Sequence, residues 1–67
     1  MVDSLELKKL RCSKGFFSQQ AFADALGMSR MAYANRERGK TKFTTAEILA
    51  ACSVLGISLE DGLKIML

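Results

Sequence analysis

Gly15, Gly27, Gly39 and Gly56 cut this proline-free chain into segments too short for any helix to stand alone. Isolated helices below about 12–15 residues are marginal in water, so such segments persist only by packing on one another. Each glycine follows a helix-like stretch, where a left-handed C-terminal cap belongs. Each next stretch opens on a capping residue. Asp3 with Glu6, and Thr44 with Glu47, have the spacing of capping boxes, while Ser18, Ser29 and Ser58 (with Asp61) are single caps. The pairs Val2 and Leu7, Met28 and Tyr33, and Phe43 and Ile48 are spaced as hydrophobic staples. No apolar alternation of strand type is present. The reading is therefore all-α, with helices over 4–14, 19–26, 30–38, 45–55 and 59–66. The expected core is Leu7, Leu10, Phe22, Ala23, Leu26, Met28, Tyr33, Ile48, Leu49, Cys52, Leu55, Ile57 and Leu63.

With 67 residues, 49% of them apolar, the chain is expected to form one globular domain over 1–67. A domain this small buries only ~60% of its unfolded surface, and oligomerisation is one way to add to that. No run of 18 apolar residues exists, so no membrane span is expected. "MVDSLELKK" lacks the apolar run of a signal peptide. Cys12 and Cys52 have no CxxC spacing and histidine is absent, so neither a metal site nor a cofactor is expected, and the cysteines read as reduced thiols. No small-molecule ligand is evident.

Charge is unevenly spread. Residues 1–43 hold nine Lys/Arg against four acids, while residues 44–67 hold Lys64 against Glu47, Glu60 and Asp61. A basic front suits an acidic partner.

The segment "SRMAYANRERG" (29–39) sharpens this. At about 100° per residue, Arg30, Met31, Ala34, Asn35 and Arg38 share one arc, and Ala32, Tyr33, Arg36 and Glu37 the other. The first arc carries no acid, whereas a salt-bridged surface would mix signs. Arg30 can donate twice to guanine O6 and N7, and Asn35 can pair with adenine N6 and N7. Met31 either touches a thymine methyl or only packs. Arg38, Lys40 and Lys42 suit phosphates. Ahead of this segment, "LGMS" (26–29) has the form of a helix-turn-helix connection, with Gly27 for positive φ, Met28 plugging the angle and Ala23 small at the crossing.

The string "SQQAFADALGMSRMAYANRERGKTK" resembles the phage repressor and Cro (XRE-like) helix-turn-helix family. Ser18, Gln19, Phe22, Ala23, Leu26, Gly27, Met28, Ser29, Glu37, Gly39 and Lys40 match its pattern without a gap. "LKKLR" (7–11) is similar to the family's first helix, and "ACSVLGISLEDGL" (51–63) to its fourth and fifth. The resemblance implies a compact five-helix, lambda-repressor-like fold and a cytoplasmic DNA-binding regulator, usually a homodimer. It also implies base reading by Arg30, Met31 and Asn35, phosphate contact by Ser18 and Gln19, and a structural ion pair between Arg11 and Glu37. This chain departs from the pattern by one extra residue in "KGFFSQ", by Arg36 where an aliphatic is usual, and by Phe43 near a common proline. Arg36 is expected to pack its stem and send its head to solvent or phosphate.

The tail "LKIML" is more apolar than a last turn needs, so Leu63, Ile65, Met66 and Leu67 are expected at a dimer interface. The function expected is a sequence-specific transcription regulator, most economically a repressor that occludes a double-stranded DNA operator. A protein-interaction module is the rival reading. An enzyme is disfavoured, because no convergent carboxylates or phosphate loop are present.

Overall fold

The computed structural model describes residues 2–67. Five helices follow in order: α1 (Ser4–Ser13), α2 (Gln19–Leu26), α3 (Arg30–Glu37), α4 (Thr45–Leu55) and α5 (Leu59–Met66). The described residues contain no strand. They fill a volume of 25 × 24 × 21 Å.

Local chemistry sets the helix starts. Asp3, Ser18, Ser29, Thr44 and Ser58 each accept the backbone N–H three residues on. At Thr44 the box is complete, since the Glu47 carboxylate accepts the Thr44 N–H at 2.8 Å. α2 and α4 end on left-handed Gly27 (φ 73°) and Gly56 (φ 68°). α1 and α3 stop one residue short of the expected ends, because Lys14 and Arg38 (ψ 8° and 1°) are half-turned caps before their glycines.

The core comprises Leu7, Phe22, Ala23, Tyr33, Phe43, Ile48, Ala51, Cys52, Leu55 and Met66. An edge-to-face aromatic run threads it, Phe16 to Phe22 at 5.2 Å, Phe22 to Tyr33 at 5.2 Å and Tyr33 to Phe43 at 6.5 Å between ring centres. Leu10, Leu26, Met28 and Ile57 pack at its margin. Two expected core residues are not in it: Leu49 is 49% exposed and Leu63 38%. α4 is apolar nearly all round, so its sequence does not select a face. The face used is Ile48, Ala51, Cys52 and Leu55, and Leu49 lies about 100° from Ile48. On α5, Gly62 and Met66 turn inward, which leaves Leu63 outside. Both cysteines are free thiols, and burial pushes the Cys52 thiol up.

α4 packs on α5 and α2, α2 on α3, and α1 on α3 and α5. The N-terminus is tied to α5 by Asp3 N–H donating to the Ile65 carbonyl, and to α3 by Ser4 Oγ donating to the Glu37 carbonyl.

Candidate nucleic-acid interface

α2 and α3 are joined by three residues. Gly27 supplies the left-handed turn, and the Met28 N–H donates back to the Ala23 carbonyl at 2.9 Å. Ala23 is fully buried at this crossing, where a larger side chain would force the helices apart. Met28 is half-buried, and Ser29 caps α3.

The inner face of α3 is anchored by one carboxylate. Glu37 Oε2 accepts Arg11 Nε at 3.1 Å and the Tyr33 hydroxyl, while Oε1 accepts Gln19 Nε2 at 3.2 Å. Arg11 also donates from Nη1 to the Phe16 carbonyl at 2.7 Å. Both charged side chains are buried, at 3% and 8% exposure. Burial, then the bond to and charge of Glu37, push the Tyr33 phenol above its ordinary range. Three helices thus converge on Glu37, and α3 is held in place from below.

Two side chains, those of Gln19 and Arg36, hold partners that the sequence did not suggest. Gln19, read as a phosphate contact, turns its amide inward to Glu37. Ser18 Oγ is spent on capping Ala21 N–H. What this end of α2 leaves for an anion is therefore the N–H groups of Gln19 and Gln20, since that of Ala21 is taken by the cap. Arg36 sends its head neither to solvent nor outward: Nε donates to Glu47 Oε1 at 2.7 Å, and Nη1 to the Ala32 carbonyl and Thr41 Oγ1. The same carboxylate that caps α4 therefore tethers α3.

Partial burial works against the charged form of Glu47. The Thr44 backbone N–H and Arg36 outweigh it and hold the carboxyl below the usual carboxylate value. A depressed carboxyl stabilises the fold above its unfolded pKa and loses that contribution as pH falls through its folded value. The wild type should therefore lose more stability than Glu47→Gln between pH 7 and acid below the ordinary carboxylate pKa near 4.5, as measured by urea midpoints. Equal losses would mean the tether contributes nothing.

The outer face of α3 is open. Arg30 and Arg38 are exposed, Met31 is 67% exposed, and Ala34 and Asn35 are half-buried. No acid lies on it. Met31 is thus not a core residue. Arg38 Nη2 donates to Asn35 Oδ1 at 2.9 Å, a pairing not foreseen, although their spacing of three on a helix allows it. Lys40 and Lys42 are exposed in the following loop. Lys42 lines a cleft of ≈ 430 Å³ with Val2, Phe43, Met66 and Leu67.

The tail residues are split. Leu63 and Leu67 (65% exposed) face outward, Ile65 is half-buried, and Met66 (3% exposed) belongs to the core. The surplus of apolar tail surface is smaller than the sequence implies, because Met66 fills the space under Gly62. Among the described residues no group of three His, Cys, Asp or Glu could hold a metal, and no helix is long and apolar enough to cross a membrane.

Residues 7–61 match the family described as "Helix-turn-helix". The chain is also 41% identical over 58 residues to the SPbeta prophage-derived uncharacterized HTH-type transcriptional regulator YonR of Bacillus subtilis (strain 168). That alignment covers 87% of this chain and 53% of the relative, so the chain spans about half the length of that protein. The five-helix bundle, the Gly27 turn and these two matches together establish that the chain belongs to the XRE-like helix-turn-helix family.

Proposed function

We propose that residues 1–67 act as one sequence-specific, duplex-DNA-binding unit of a transcription regulator, with α3 laid in the major groove. The observation that carries this is the outer face of α3, which is acid-free and presents Arg30, Met31 and Asn35 while its inner face is locked to the core through Tyr33 and Glu37. Small Ala34 allows close approach to the base edges. Lys40 and Lys42, with the first-turn N–H groups that follow Ser18 and the remaining donors of Arg38, supply phosphate contacts. The action we favour is Cro-like: occupancy alone hides a promoter, with no cofactor and no catalysis, in the cytoplasm. Two copies would join through the exposed α5 face of Leu63 and Leu67, with Ile65 beside it and Met66 supporting it from the core. Their α3 helices would then meet half-sites roughly 34 Å apart.

Two variants test this. Arg30→Ala should cost ~1–3 kcal/mol on a selected operator and far less on scrambled duplex, because a base contact exists only where its pattern is present. Lys40→Ala should weaken both duplexes about equally and lower the salt slope by about one, since a phosphate contact releases counterions whatever the sequence. Affinity is measured against salt for each. If the two variants behave alike on both duplexes, α3 is only a charged surface. A folded protein with no salt-dependent affinity for any duplex favours the protein-docking reading instead. For the assembly, sedimentation with and without operator should give two chains per site. One chain on a site lacking symmetric halves would remove the dimer.

A further inference from the structure

We infer that Asn35 and Arg38 form one positively charged reading unit rich in hydrogen-bond donors, and that this unit selects guanine rather than adenine. The inference rests on the DNA-binding reading above. Its basis is the bond from Arg38 Nη2 to Asn35 Oδ1 at 2.9 Å, on the outer face at the last turn of α3. A guanidinium carries donors and no acceptor, so the amide atom facing it is the oxygen. The polarity of the Asn35 amide is thereby set. One lone pair of its oxygen is taken by Arg38, whose positive charge lies beside the other, and its NH2 group remains with donors to give.

Asparagine pairs with adenine by giving an N–H to N7 and accepting the N6 amino group at Oδ1. In this chain that second half meets a guanidinium, whose remaining N–H donors lie beside Oδ1 and oppose another donor. Guanine presents two acceptors in the major groove, N7 and O6, and no donor on that edge. The Asn35 NH2 and the spare N–H groups of Arg38 match both. Burial in the groove strengthens the bond between the two side chains, because it is charge-assisted and water is withdrawn from it. Arg38 is thus a positioning residue for Asn35 and a second donor to the base, and not only a phosphate contact.

The experiment is selection from a random duplex pool, followed by affinity against salt on the winning sequence. The proteins are the wild type, Asn35→Ala, Arg38→Ala and Arg38→Met, the last keeping the side-chain stem. The position whose preference disappears in Asn35→Ala is the one read by the unit. The wild type should hold guanine there, over adenine by roughly tenfold. Both Arg38 variants should turn that position towards adenine and leave the others as they were. Adenine in the wild type overturns the inference. So does an Asn35→Ala variant that changes no position. An Arg38 effect that is even across all sequences, with base preference unchanged, makes Arg38 a phosphate contact only and overturns it as well. A folded wild type that retains no duplex even at low salt overturns the DNA reading itself, and this inference with it.

Discussion

Arg11→Met should lower the melting temperature by roughly 15–30 °C, enough to leave the chain largely unfolded at moderate temperature. The substitution removes the guanidinium from a site where it is 3% exposed and 3.1 Å from the Glu37 carboxylate. Glu37 then keeps its buried charge with only the Tyr33 hydroxyl and the Gln19 amide as donors. Breaking a buried pair in this way costs about 3–5 kcal/mol. At about 0.05–0.15 kcal/mol per residue, the whole fold is worth only ~3–10 kcal/mol. In domains of this size each kcal/mol moves the melting point by about 4–8 °C. The Phe16 carbonyl also loses its Arg11 donor, which loosens the entry to α2. Adding Glu37→Gln to Arg11→Met should restore part of the loss, since it removes the stranded charge. Thermal melting followed by circular dichroism decides the matter. A single variant that melts with the wild type would show that the pair carries no stability.

Gly62→Ala should destabilise the fold by about 2 kcal/mol, although alanine is the better helix former. A methyl group at position 62 would stand 2.1 Å from Cys52 Sγ, far inside contact distance. Helix propensity returns ~0.5–1 kcal/mol, against an overpacking cost near the top of the usual ~1–3 kcal/mol. Cys52 is buried, so its sulfur has little room to swing aside, and α5 must lift from α4. Cys52→Ala in the same chain removes the obstructing sulfur and should recover most of the loss. Urea unfolding of the two single variants and the double variant measures the coupling. Additive effects would mean that α5 accommodates the methyl by other means.

The candidate interface was legible to different depths at different residues. The helix-turn-helix was readable because its parts are local: a cap at Ser18, a left-handed glycine at 27, a cap at Ser29 and a face repeating every three to four residues. The exposed positions of Arg30, Met31 and Arg38 follow from that periodicity. The inward turn of Gln19 did not, because its partner Glu37 lies 18 residues away in sequence. Arg36 is similar. A lone arginine on an otherwise inner arc gives no sign of its partner, and Glu47 was already accounted for as a helix cap. A spacing of three allows the Asn35–Arg38 bond, but each residue also suits a separate contact, so spacing alone does not select it.

The sequence by itself determined the number of helices, their starts, their ends to within one residue, and the tight connection between α2 and α3. These depend on interactions within about four residues, where side-chain chemistry and backbone preference act directly. Only the tertiary structure decided which face of the largely apolar α4 is buried and why Gly62 must lack a side chain. The same holds for the burial of Met66 while Leu63 remains outside, and for the gathering of Arg11, Gln19 and Tyr33 on one carboxylate. Those outcomes depend on the space left between helices distant in sequence. That space is set by the mutual fit of all five, and no single segment encodes it.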